Sequence, residues 1–233
     1  MIVLQQQKNF LVASENAIKM LAEKKSARIL VVSDSHGSAH LFEKIICAFG
    51  KTCDALIFCG DGIGDVAFLL QKASDDKHFE KLFPSVCCFV RGNGDASSFP
   101  VRFLQNENSP KNFYASLTIP KKQIIEIAHQ KIFVCHGHEQ GAYYGCENIV
   151  AEANKYGARL AFFGHVHIAS ESRMKVYAVN PGSISFPRGA SPHSFAISEI
   201  GKDAIDTTFY KIDARMNAVH FTPFFPKANS RLF

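Results

Sequence analysis

Short apolar runs recur along the chain, and the stretches between them carry apolar residues at helical spacing. RILVVS (28–33), ALIFC (55–59) and SVCCFV (85–90) have the length and composition of buried strands. HLFEKIICAF (40–49) and DVAFLLQKA (65–73) predict helices near them. Further on, QIIEIA (123–128) and KIFVC (131–135) flank His129 and Gln130 in the manner of a hairpin. CENIVAEANKYG (146–157) predicts a helix stopped at Gly157, and ARLAFFG (158–164) predicts another strand. MKVYAVN and HSFAISEI alternate or run apolar, and DAIDTTFYKID follows them. Strands alternating with helices, then strands without them, predict an α/β fold with late strands added as hairpins. Before all of this, SENAIKMLAEKK (14–25) predicts an amphipathic helix with Ser14 as its N-cap, packed at the edge of the body.

Composition narrows the class. At 233 residues, 47% hydrophobic and 20% charged, the chain suits one generous soluble domain. The net charge of +5 comes from scattered Lys and Arg, which argues against a nucleic-acid stripe and leaves a mild pull on anions. The seven cysteines form no C-x-x-C pair, and Cys59, Cys87, Cys88 and Cys135 sit in or beside apolar runs. Buried reduced thiols, and with them a cytoplasmic location, are the expectation. The first sixteen residues lack a secretory leader's basic start and long apolar core, and no run approaches the ~18 apolar residues of a membrane span.

The chemistry gathers at the ends of the strands. Five apolar runs end in Asp34-Ser35-His36-Gly37, Asp61-Gly62, Asn93-Gly94-Asp95, His136-Gly137-His138 and His165-Val166-His167. Each cluster alone has an ordinary reading: a helix cap for Asp34 or Asp61, a turn for Asn93-Gly94, chance for the paired histidines. Five together at strand ends point to one metal site, because the crevice beyond the carboxyl ends of the strands is where sites form. Residues at i and i+2 share a face of an extended chain, so D-x-H and H-x-H are each expected to aim two ligands the same way.

In this order the motifs D-S-H-G, G-D-G, G-N-G-D, C-H-G-H and G-H-V-H resemble the calcineurin-like metallophosphoesterases. The compact bacterial and archaeal phosphodiesterase branch is the nearest in look, and the eukaryotic retromer subunit of the same fold is related to it. NPGSISFPR (180–188) looks like that branch's signature as well. The resemblance implies a sandwich of two mixed β-sheets flanked by helices over 28–213, an N-terminal helical extension (1–27), and a C-terminal tail (214–233) packed on the body or in a dimer contact. It implies one ion held by Asp34, His36, Asp61 and His167, and a second held by Asp61, Asn93, His136 and His165, with Asp61 bridging. Nitrogen and oxygen ligation suits Mn, Fe, Zn or Ni over Ca, and the family points to Mn. The implied reaction is in-line attack on phosphorus by water activated between the ions, with no phosphorylated enzyme.

One departure bears on substrate. Many relatives read G-N-H where this chain has Gly94, and that histidine can assist the leaving group. Its loss favours diesters, or esters with good leaving groups, over alkyl monoesters. His138 becomes a candidate acid or substrate contact, and Asp95 a candidate partner for His136 or His138, or simply the closure of the turn. Arg91 and Arg188 are candidates for phosphate oxygens, with surface ion pairs as the plain alternative. Asn180 and Ser183 are assigned to shaping their loop. A competing reading is an interaction scaffold like the retromer subunit, which is expected to tolerate losing ligands that are all present here. An amidohydrolase reading is weaker, since H-x-H comes late and the chain is short for an eight-stranded barrel.

Overall fold

The computed structural model describes residues 5–102, 114–215 and 218–226. Helix α1 (Glu15–Glu23) opens on Ser14, whose side chain accepts a hydrogen bond from the Ala17 amide, as an N-cap does. Then come β1 (Ser26–Val32), α2 (Ala39–Phe49), β2 (Ala55–Phe58), α3 (Ile63–Asp75), the short α4 (Lys77–Glu80) and β3 (Val86–Phe89). A hairpin of β4 (Ser98–Arg102) and β5 (Tyr114–Thr118) stands apart as a two-stranded sheet. The second half runs β6 (Lys122–Ile127), β7 (Gln130–Cys135), α5 (Glu147–Lys155), β8 (Leu160–Phe162), β9 (Ala169–Arg173), β10 (Tyr177–Pro181), β11 (Ser194–Gly201), β12 (Ile205–Arg215) and β13 (Ala218–Phe224).

Both large sheets are mixed. One has the order β13-β12-β11-β1-β2-β3, the other β6-β7-β8-β10-β9. In the first, β1, β2 and β3 are parallel and β11 to β13 antiparallel. In the second, β7, β8 and β10 are parallel, with β6 and β9 antiparallel at the edges. The architecture is the expected α/β sandwich.

Strand alternation explains the layers. In β1, Ile29 and Val31 point into an apolar layer with Ile57 and Cys88 from their own sheet and Val134, Phe162 and Val179 from the other. Leu30 and Val32 point the opposite way, against Phe42, Ile45, Val66 and Leu70 of α2 and α3. The outer face of the second sheet, including Phe133 and Ala161, packs on Ile149 and Ala153 of α5. The order is therefore helices, sheet, sheet, helix. Strands buried on both faces need apolar residues at every position, which is why their runs were continuous.

The edges hold the surprises. β13 extends the first sheet through pairing with β12, so residues 218–224 of the expected tail are a strand of the body. Residues 227–233 of the expected tail lie outside the described residues. At the other edge Val12 pairs with Cys87, so the N-terminal segment covers β3. All seven cysteines are free, and burial pushes the Cys87, Cys88 and Cys135 thiols well up, consistent with packing roles. Among the described residues no helix is long and apolar enough to cross a membrane.

Candidate metal centre

The loops after β1, β2, β7 and β8 meet at one end of the sandwich and are stitched together by backbone hydrogen bonds. Asp34 N donates to Gly60 O (2.9 Å), His36 N to Asp61 O (3.1 Å) and Gly164 N to His136 O (3.0 Å). Two tight groups of ligand atoms result. Asp34, His36 and His167 form one, and Asp34, Asp61 and His136 the other.

The distances are those of groups facing a shared centre. His167 Nε2 lies 3.2 Å from Asp34 Oδ1 and 3.2 Å from His36 Nε2. Asp61 Oδ2 lies 3.4 Å from His136 Nε2 and 4.0 Å from His36 Nε2. The groups share Asp34, whereas the resemblance gives the bridging role to Asp61, whose carboxylate also faces both sides. His165 lies outside these groups, its ring 5.1 Å from that of His136 and 6.0 Å from that of His138. Asn93 is exposed.

Asp34, Asp61, His136 and His167 are each held by the atom that does not face the centre. Asp34 Oδ2 accepts from Ser33 Oγ (2.6 Å) and His165 N (3.1 Å), which leaves Oδ1 for the cluster. Asp61 Oδ1 accepts from Gly94 N (2.8 Å), which leaves Oδ2. His136 Nδ1 donates to Cys59 O (2.7 Å) and His167 Nδ1 to Phe186 O (2.6 Å). Those carbonyls require the proton on Nδ1 and so present Nε2 to the centre. Ser183 and Ser185 both donate to Asp34 O (2.7 and 2.9 Å), while Asn180 bonds Gly164 O and accepts from Gly182 N.

The groups present fit a cation. Asp34 Oδ1 and His136 Nε2 are buried and have no hydrogen-bond partner, a costly arrangement unless something charged and positive takes them up. Asp34 and Asp61 are both buried carboxylates, and among the described residues only histidines pair with them. Burial alone would raise Asp61, but the charge of His136, whose Nε2 lies 3.4 Å away, and the Gly94 amide hold it well below the carboxylate range. Burial would likewise lower His136, and the Asp61 and Asp34 carboxylates reverse that. A metal ion would take the place of the proton this attraction holds. His165 is pushed down to about 4, by burial first and then by His136, which leaves it neutral and able to ligate at neutral pH.

The backbone is strained where the ligands sit. Eight described non-glycine residues have positive φ, and Asp34, His36, Asp61, His165 and His167 are five of them. Such conformations cost of order 1–3 kcal/mol each and gather at functional sites. They also correct the expectation that H-x-H aims two ligands alike, whereas Asp34 and His36 of D-x-H do face one group. The strands stop at Val32 and Phe162, and the left-handed turns beyond them send His165 towards His136 and His167 towards Asp34. Close approach demands glycine nearby. A Cβ on Gly92 would stand 1.9 Å from Asp61 Oδ1, and one on Gly164 2.0 Å from Ser33 Oγ.

Of its two readings, Asp95 takes the closure of the turn. Its oxygens accept from the amides of Asp61 (2.7 Å), Gly62, Ile63 and Gly92 (2.9 Å each). With both oxygens occupied by main-chain donors, it orients no histidine but fixes the turn that carries Asp61. Asp65 does the same for the neighbouring loop, accepting from Ser35 Oγ and Gly37 N. In the sequence Asp65 looked only like the first turn of a helix.

His138 sits beside the cluster, its ring 5.4 Å from that of His136 and its Nδ1 buried without a partner. Burial, then His136, lowers its proton affinity. Arg188 reaches the rim, donating to the Tyr143 hydroxyl and lying over its ring, and Tyr143 packs on His165 with centroids 4.7 Å apart. Tyr143 carried no motif and was missed. Arg91 is half-buried on the loop after β3, its amide donating to Pro120 O, and no hydrogen bond or ion pair ties its guanidinium to the described ligand set.

Comparisons with known proteins give the family. The profile of the calcineurin-like phosphoesterase superfamily domain matches residues 28–203. The probable metallophosphoesterase YsnB of Bacillus subtilis is 30% identical, over 78% of this chain and 89% of its own. The phosphodiesterase YfcE of Escherichia coli K12 is 27% identical, over 73% and 86%. The vacuolar protein sorting 29 structure from Cryptosporidium parvum superposes with a TM-score of 0.60 at 15% identity, covering 88% of this chain and all of that one, a likeness of fold. With the domain profile spanning residues 28–203 and so every ligand loop, the chain belongs to the calcineurin-like phosphoesterase superfamily.

Proposed function

We propose that this chain is a two-metal phosphoesterase that prefers phosphodiesters. The observation that carries the reading is the pair of buried, unpartnered atoms, Asp34 Oδ1 and His136 Nε2, 4.0 Å apart, with the imidazole tips of His36 and His167 also facing Asp34 Oδ1. Asp34, His36, Asp61 and His167 would hold one ion, and Asp61, Asn93, His136 and His165 the other. Mn is favoured, with Fe, Zn or Ni as alternatives. When bound, two such ions supply an acidic water and positive charge for the phosphoryl oxygens.

The chain's own contribution is to hold donors and exclude freedom. The Cys59 and Phe186 carbonyls fix the His136 and His167 tautomers, and Ser183 and Ser185 pin the Asp34 main chain. His138 lines the site with a free Nδ1 and is assigned to a substrate oxygen. Arg188, placed by Tyr143, is assigned to the phosphate at the rim, and Arg91 to a second, weaker contact. The name of YfcE supports the diester preference. A pure scaffold has no use for five strained residues at ligand positions, so the binding reading is set aside.

Manganese loading followed by metal analysis and rates on bis(p-nitrophenyl) phosphate and p-nitrophenyl phosphate tests this. Two ions per chain and faster diester cleavage, abolished by chelation, are expected. Hydrolysis of neither ester by the loaded protein would sink the proposal.

Gly94→His probes the leaving-group question. A Cβ there would lie 3.3 Å from Asp61 Oδ1, a tight contact that a shift of a few tenths of an ångström relieves. The added imidazole should raise monoester kcat/KM relative to diester on the order of a hundredfold, the lower end of general acid catalysis. An unchanged ratio would mean that another group already supplies the proton.

A further inference from the structure

The Phe186 ring is an odd surface feature. It is 60% exposed although the body has ample apolar interior, and leaving a phenyl in water forgoes the stabilisation of burial. It is also not loose. Its amide donates to Ser183 Oγ (2.8 Å) and its carbonyl accepts from His167 Nδ1 (2.6 Å). Pro187 follows, restricting the Phe186 backbone to extended conformations, and Arg188 N then donates to His167 O (3.1 Å). Phe186 to Arg188 thus form a strap bonded to His167 from both sides.

The strap places one face of the site against carbon and the other against charge. At the His36 end, the Phe186 ring meets the His36 imidazole edge-on, with centroids 5.7 Å apart. At the His165 end, Arg188 is engaged with Tyr143, which already packs on His165. Tyr143 therefore has its ring taken, whereas Phe186 offers an open one beside the half-exposed His36.

We propose that Phe186 is a specificity residue: its ring is the stacking platform for a flat aromatic group on the substrate ester, an aryl or nucleobase moiety, while the phosphate sits at the ligand cluster. This rests on the phosphoesterase reading and adds to it the class of alcohol that the ester carries. A ring held by its own backbone loses little freedom on stacking, which is the condition for an exposed aromatic to contribute to affinity. Stacking is indifferent to hydrogen-bonding pattern, so the preference is for planarity and not for one base.

Phenylphosphonate and methylphosphonate separate this from the reaction, because their P–C bonds resist hydrolysis and they differ only in the ring. Titrated calorimetrically into the manganese-loaded full chain, phenylphosphonate should bind about tenfold more tightly than methylphosphonate. Phe186→Ala should reduce that ratio to about twofold or less by weakening phenylphosphonate alone, and Phe186→Tyr should keep it. Equal affinities in the unaltered protein, no binding of either ligand, or equal weakening of both in Phe186→Ala would overturn the proposal; the last would mean that the ring acts only by positioning His167. If the loaded protein cleaves no ester yet keeps the phenyl preference, the phosphoesterase reading fails and the platform stands.

Discussion

Asp61→Ala should leave a folded protein that holds fewer than one manganese per chain and cleaves diesters about a hundred- to a thousandfold more slowly, the scale seen when charge stabilisation is removed from a transition state. Asp61 Oδ2 faces both His136 and His36, and its other oxygen is already taken by the Gly94 amide. On the bridging assignment, removing the carboxylate therefore removes a donor from both ions at once. Circular dichroism and thermal melting establish that the fold survives, and elemental analysis counts the ions. One ion retained in full would shift the bridging role to Asp34, the residue that the two tight groups share. Normal content with normal rates would end the bridging assignment for Asp61.

The second large effect is expected at a residue that touches no substrate. Asp95→Ala orphans four main-chain donors, those of Asp61, Gly62, Ile63 and Gly92. Hydrogen bonds to a charged group contribute about 1.5–3 kcal/mol each but do not add, and water will reach part of the turn. A loss of about 2–4 kcal/mol, or a melting temperature lower by about 5–15 °C, is the expected result. Manganese affinity should fall about 10- to 100-fold alongside it, as for other groups that orient ligands. Asp95→Asn sharpens the test. It keeps one oxygen but must turn an amide donor towards other donors, so it should restore stability only partly. A variant that melts normally yet loses metal would show Asp95 reaching the ions in some other way, and unchanged metal affinity would dismiss its positioning role.

Much of this was legible in the order of the residues. The continuous apolar runs marked buried strands, Ser14 and the helix stop at Gly157 behaved as caps, and Asp34, His36, Asp61, His136 and His167 of the strand-end residues gathered in two adjoining groups. What stayed hidden depends on distance in sequence or on backbone shape. The β4–β5 hairpin was missed because Pro100 argues against a strand and because its partners are separated by the chain between 102 and 114. The short β9 is polar, and its pairing with β10 alone makes it a strand. Asp65 and Asp95 act through amides 28 to 34 residues away, a bond that no local pattern encodes. The two-residue spacing of the histidines was read for an extended chain and failed because both have left-handed φ.

Those left-handed residues set stability and function against each other at single positions. Glycine would relieve the backbone at Asp34, His36, Asp61, His165 and His167, and each relief would delete a donor. Random mutation screened only for heat resistance would thus be drawn towards the very positions that the chemistry cannot spare. A lineage that no longer needed the reaction would drift there too, trading ligands for a calmer chain while both sheets stayed intact. On the two-metal reading proposed above, the wearing away of the centre is downhill, and only selection for the reaction would hold it in place.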